Sequence, residues 1–149
     1  MKGSVAEVFG QKIRLLPQHV PQEHLTSVTS IGWYTFYGCT SPTNITIGNG
    51  VTSIGDWAFY GCSKLSSVIW NAENCTYAKS VSLFENCGKL SNVTFGKNVK
   101  SIPSYAFKGC TSLTSITISS SVTSIGGYAF EDCNSLAKVY YKGTAEEWQ

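Results

Sequence analysis

Charge is scarce in this 149-residue chain: 13% of its residues are Asp, Glu, Lys or Arg, and the formal net charge is +2. Arg14 is the single arginine and the lysines are scattered. That leaves neither a basic track for nucleic acid nor a polybasic face for a membrane surface. Histidine is reduced to His19 and His24. Five residues apart on a proline-flanked segment, they do not share one helix face, so the pair carries neither a metal site nor catalysis. No H-E-x-x-H, G-x-S-x-G or phosphate-cradling glycine loop occurs, which removes the familiar enzyme constellations. Six cysteines are present without one C-x-x-C, which weighs against zinc. No apolar run approaches the roughly 18 residues of a membrane-spanning helix, so no insertion by this segment is expected. Met1-Lys2-Gly3-Ser4-Val5 lacks an apolar core of signal-peptide length, so any export signal is expected outside the chain.

What the chain has in abundance is one phrase. Val-Thr-Ser-Ile-Gly-x-x-Ala-Phe-x-x-Cys begins at Val51 and Val122, with a third copy running from Val99 to Cys110 and a fourth from Val28 to Cys39. The closing cysteines fall at Cys39, Cys62, Cys87, Cys110 and Cys133, in steps of 23, 25, 23 and 23. A period in the low twenties belongs to short-repeat solenoids; it is too short for two helices per unit and is not a heptad.

After each cysteine the pattern continues as x-x-Leu-x-x-Val/Ile-x-apolar: Leu65, Val68 and Trp70; Leu90, Val93 and Phe95; Leu113, Ile116 and Ile118; Leu136, Val139 and Tyr141. The first unit differs, with Pro42 in place of leucine, then Ile45 and Ile47. The closing alternation has a period of two and predicts a short strand with one buried face. Every unit returns to the same phase, so these strands are expected to stack in parallel in one sheet. Ile-x-x-x-Ala-Phe spaces its apolar residues at i, i+4 and i+5, which predicts a single helical or 3₁₀ turn on the opposite side. Pro103 stands at a helix start, and Gly61 and Gly109 at helix stops. The expected fold is an α/β repeat solenoid of about five units over 28–149, with 1–27 as a cap or flanking segment. Ile13, Leu15 and Leu16 are the candidate cap strand. Between Trp70 and Phe84 the third unit gains two residues and loses its signature, so a bulged or longer loop is expected there.

These residues resemble the BspA-like leucine-rich repeats. The resemblance rests on I-G-x-Y/W-A-F-x-G-C-x-x-L-x-x-V-x-I, nearly complete at 54–69 and 125–139, and on the ending Val139-Tyr140-Tyr141-Lys142-Gly143-Thr144-Ala145-Glu146-Glu147-Trp148. It implies a cell-surface or secreted protein that adheres to host or neighbouring-cell proteins, with an extracellular-matrix or surface protein as partner and no cofactor.

Five of the cysteines occupy one repeat position. Parallel strands lie about 4.8 Å apart, further than disulfide-bonded Cβ atoms prefer, so a column of buried, reduced thiols is the simpler reading. Cys75, off this ladder, is the cysteine left most open to reactivity. Tyr34, Trp57, Tyr105 and Tyr128 share another position and are expected to cover the convex side of the core; as a stripe they could instead bind a partner. Glu146 and Glu147 read as a solvated helix start. The surface expected to bind a protein partner is the outward face of the strands. It comprises one row of Asn44, Ser67, Asn92, Ser115 and Lys138, and a second of Thr46, Ile69, Thr94, Thr117 and Tyr140. The alternative is a structural spacer within a longer multidomain protein, favoured by an ending that falls in mid-phrase.

Overall fold

Each repeat folds into one coil of a solenoid, and three hydrogen-bonded ladders run along it. The structure is a computed structural model that describes residues 4–8, 11–15, 28–77 and 82–147, with side chains over 28–75 and 82–147. The broadest ladder is a five-stranded parallel sheet built from the Val-x-apolar segments. These are β4 (Asn44–Ile47), β6 (Ser67–Trp70), β8 (Asn92–Phe95), β10 (Ser115–Ile118) and β12 (Lys138–Tyr141), adjacent in that order. Ile45, Val68, Val93 and Ile116, followed two residues on by Ile47, Trp70, Phe95 and Ile118, point inward and are all buried. In β12 the burial fades, and Val139 is 48% exposed because no further coil lies on it among the described residues.

The single-sheet expectation is corrected by a second ladder. The Val-Thr-Ser-Ile segments form short strands of their own: β3 (Val28–Ile31), β5 (Ser53–Ile54), β7 (Thr76–Tyr77), β9 (Ser101–Ile102) and β11 (Ser124–Ile125). β3, β5 and β7 pair in parallel, as do β9 and β11. The irregular third unit keeps its place in this ladder, since Thr76 and Tyr77 pair with Ser53 and Ile54. The two extra residues therefore fall between β7 and Phe84, and 78–81 lie outside the described residues.

Near the N-terminus, β1 (Ser4–Val8) and β2 (Gln11–Leu15) form an antiparallel hairpin, laid antiparallel on β3. Ile13 and Leu15 stand on β2; Leu16, His19 and His24 lie outside the described residues. An antiparallel partner ends the parallel stack and covers the unpaired edge that β3 would otherwise present.

The third ladder replaces the expected helical turns, and with them the α/β class: among the described residues there is no helix. Tyr105 and Gly109 take φ of 60° and 72°, the left-handed region, and two such residues within five cannot belong to a right-handed helix. The backbone N–H groups therefore donate across to the next coil. Tyr105, Phe107 and Gly109 bond the carbonyls of Gly127, Ala129 and Glu131 at 3.1, 2.9 and 2.8 Å, as Tyr34, Phe36 and Gly38 bond those of Asp56, Ala58 and Tyr60.

Between the ladders the core is a column of stacked rings. Phe36, Phe59, Phe84, Phe107 and Phe130 follow one another at centroid distances of 5.0, 5.0, 5.1 and 5.5 Å, within 8° of parallel. The Ser/Thr-rich composition laces the coils on the outside. Thr52, Ser66, Thr114 and Thr123 donate side-chain hydroxyls to the carbonyls of Thr29, Thr43, Ser91 and Lys100 in the preceding coil.

Candidate interaction surfaces

The ten residues singled out from the sequence stand in two straight rows on the five-stranded sheet. Parallel register places Asn44 beside Ser67, Ser67 beside Asn92, Asn92 beside Ser115 and Ser115 beside Lys138. The same register aligns Thr46, Ile69, Thr94, Thr117 and Tyr140. All ten lie at solvent-accessible positions, and the large apolar side chains among them stand open: Ile69 is 45% and Tyr140 is 53% exposed. Ser67 donates its hydroxyl to the Asn44 carboxamide at 2.5 Å, tying the first row across two coils. Lys138 is the one charged residue among the ten.

The cysteine ladder is structural. All six cysteines are buried thiols. Cys62, Cys87 and Cys133 donate S–H to the carbonyls of Phe36, Phe59 and Phe107 at 3.2, 3.2 and 3.1 Å, and Cys110 reaches that of Phe84 at 3.8 Å. Each thiol thus ties its coil to the turn before it. The hydrogen bond with Cys87 and then burial push the Cys62 thiol up, and burial raises Cys110. Cys75 is no exception. It is 6% exposed, and burial pushes its pKa up to about 12. A thiol without thiolate is a poor nucleophile, which corrects its expected reactivity.

The aromatic position lies on the turn ladder, where Tyr34, Trp57, Tyr105 and Tyr128 all adopt positive φ. They do not form one continuous stripe. Tyr34 stacks on Trp57 at 5.3 Å and Tyr105 on Tyr128 at 5.1 Å, while the third unit has Ser82 instead, 4% exposed with its hydroxyl unpartnered. Lys108 lies over the rings of Tyr105 and Tyr128 and is ion-paired to Glu131. Sequence reasoning missed Trp33 and Tyr37, which flank Tyr34 in the chain and are exposed by 66% and 49%. Their signal was present in the run Trp33-Tyr34-Thr35-Phe36-Tyr37, which no other unit matches.

At the chain's end, Thr144 and Glu147 make the reciprocal contacts of a capping box. Glu147 Oε2 accepts from Thr144 N at 2.8 Å, and Glu147 N donates to Thr144 Oγ1 at 3.3 Å. A hollow of about 230 Å³ lies among Gly48, Asn49, Asn71, Lys97 and Asn98. Among the described residues no three His, Cys, Asp or Glu come together as a metal site. No helix there is long and apolar enough to cross a membrane.

Residues 21–137 match the family model for the BspA type leucine-rich repeat region, in six copies. The chain belongs to the BspA-type leucine-rich repeat family. Solved structures agree. A leucine-rich cell surface protein from Faecalibacterium prausnitzii A2-165 is 27% identical with a TM-score of 0.64, covering 91% of this chain and 34% of its own. A leucine-rich repeat protein from Bacteroides ovatus ATCC 8483 is 35% identical, at TM-score 0.62 over 75% of this chain and 28% of its own. Another from Eubacterium ventriosum ATCC 27560 is 32% identical, at TM-score 0.62 over 77% and 31%. The BspA-type chain thus spans about a third of the length of these relatives. No curated protein matches it.

Proposed function

We propose that this BspA-type array is a non-enzymatic protein-binding module, acting at the cell surface in adhesion to host or neighbouring-cell proteins through the outward face of its five-stranded sheet. The observation that carries the reading is the register of Thr46, Ile69, Thr94, Thr117 and Tyr140, which sets two exposed apolar side chains into a neutral, hydroxyl-lined row. Such a surface is wide, shallow and rigid, and it suits an extended protein partner better than a small molecule. The surface location draws on the description of the Faecalibacterium relative as a cell surface protein. With few charges on the face, binding depends on shape and hydrogen bonds and varies little with salt.

The test is binding of the isolated array to a panel of extracellular-matrix and cell-surface proteins, with Ile69→Asp and Tyr140→Asp as paired variants. Both side chains project outward, so the folded state is retained while binding falls by tenfold or more. Binding that survives both changes rejects this face. An array that binds nothing in the panel favours the spacer role.

A further inference from the structure

Four of the eight large apolar side chains that stand exposed belong to the last coil: Ile125, Tyr128, Val139 and Tyr140. Two of them occupy core positions. Ile102 and Ile116, one coil back, are exposed by 1% and 2%, whereas their counterparts Ile125 and Val139 are exposed by 46% and 48%. The apolar coil-to-coil interface that repeats along the array therefore ends on a face of its own kind, with no coil on it among the described residues.

The backbone gives that face a definite polarity. In the five-stranded sheet, Lys138 and Lys142 N–H bond the carbonyls of Thr114 and Ile118 in the coil before. Alternate residues of a parallel strand bond to opposite neighbours, so the N–H and C=O of Val139 point to the open edge of β12. The other two ladders end differently from each other. Between Val-Thr-Ser-Ile strands the later coil donates: Thr123 and Gly126 N–H bond the carbonyls of Lys100 and Ile102. Between turns the earlier coil donates, as Tyr105, Phe107 and Gly109 N–H do to the last coil. By the same repeat, the end face presents carbonyls at Thr123 and Ile125 and N–H groups at Tyr128, Phe130 and Asp132.

We propose that this end face binds a second copy of the chain about a two-fold axis, with the two β12 strands paired antiparallel and Val139 opposite the second copy's Val139. Three observations select that occupant. The first is register. Opposed residues of an antiparallel hydrogen-bonded pair exchange both backbone bonds, which is what the edge-facing groups of Val139 offer to their own counterparts. Centring on Tyr140 fails, because its backbone groups turn toward β10 and Lys138 would then oppose Lys142. The second is side-chain matching. With Val139 on the axis, apolar side chains meet on the core side, and Lys138 stands opposite the second copy's Tyr140 on the outer side, a cation beside a ring. The third is the polarity of the other ladders. Three ladders enclose the core, and an axis normal to the sheet exchanges the remaining two. Each copy's carbonyls at Thr123 and Ile125 thus face the other's N–H groups on the turn. A head-to-tail stack lacks this match, because β1 already pairs with the edge of β3 that β11 would need. The pairing also carries both outward rows through the axis into one ten-stranded face.

At about 3.3 Å per residue, a coil of 23 residues encloses no more than roughly 450 Å². So small an interface is reversible, with a Kd on the order of tens of micromolar. Sedimentation velocity of the whole chain, from about 1 to about 300 μM, brackets that value. The expected result is a monomer–dimer equilibrium with nothing larger. Val139→Asp gives a monomer throughout with an unchanged circular dichroism spectrum, since the side chain is half exposed. Two variants test the register itself. Tyr140→Lys sets two ammonium groups opposite each other on both sides of the axis and weakens the dimer by tenfold or more. Tyr140→Glu faces Lys138 with a carboxylate and preserves or strengthens it. Ile69→Asp leaves the dimer unchanged, so a failed partner surface and a failed dimer are told apart. The inference is overturned by a monomer at every concentration, by association that continues past the dimer, by a dimer that survives Val139→Asp, or by equal responses to Tyr140→Lys and Tyr140→Glu.

Discussion

Phe107 occupies the middle of the ring column, and its truncation to Ala probes how the coils depend on one another. The side chain is fully buried. It stacks on Phe84 at 5.1 Å and on Phe130 at 5.5 Å, and Trp70 and Phe95 approach it edge-on at 6.0 and 5.8 Å. A buried Phe→Ala change costs about 3–5 kcal/mol. The upper half of that range applies here, because coils held by ladders on three sides cannot collapse into the cavity and both coil interfaces lose a stack. With an m-value of about 2 kcal/mol per M, the urea midpoint falls by about 2 M. Phe130→Ala is the internal control. That ring is only partly buried and has a column neighbour on one side, so its loss costs about half as much. Equilibrium urea unfolding of both variants by far-UV circular dichroism makes the comparison. A midpoint shift for Phe107→Ala below about 0.5 M, or one no larger than that for Phe130→Ala, refutes the column as the seat of coil-to-coil coupling.

Two further outcomes are expected. Gly126→Ala places a Cβ 2.2 Å from the backbone N of Ser104 and forces two coils apart, costing about 1–3 kcal/mol, while Gly127→Ala meets nothing within 4 Å and leaves the melting temperature near that of the parent; equal effects at the two sites reject the coil spacing. Native protein shows no reactive thiol and denatured protein shows all six, and stability falls as pH rises above about 9. The sign follows from Cys75, raised from 9.0 to about 12: unfolded thiols ionise first, so its contribution is complete below pH 9 and is lost toward pH 12. Urea midpoints at pH 8 and pH 10.5 that coincide, or a Cys75→Ala variant with an undiminished slope, reject this account.

The strands of the five-stranded sheet were legible because they depend on spacing alone. A period of two at Val68-x-Trp70, repeated at a nearly fixed interval, dictates an inward row, an outward row and a parallel register. The same logic fixed both candidate binding rows by number. The Val-Thr-Ser-Ile strands were not legible as strands, because β5, β9 and β11 have two residues each and too little length for an alternation to register. Trp33 and Tyr37 belong to one unit only, and reasoning from the repeat discards what does not recur.

The turns misled for a deeper reason. Ile102-x-x-x-Ala106-Phe107 matches a helical turn as well as it matches the observed ladder, so periodicity cannot separate them. A finer signal stood one residue before each cysteine: Gly38, Gly61, Asn86, Gly109 and Asp132 are all residue types that tolerate positive φ, and all five adopt it. The second left-handed position, four residues earlier, carries Tyr34, Trp57, Tyr105 and Tyr128, against the preference of bulky side chains and at a cost of order 1 kcal/mol each. Nothing within one unit offsets that cost. The offset comes from the neighbouring coil, through Tyr105 N–H to Gly127 O and the Tyr105–Tyr128 stack. A left-handed aromatic is thus a property of the stacked array, and a reading of one unit at a time assigns it to a helix that the assembled coils exclude.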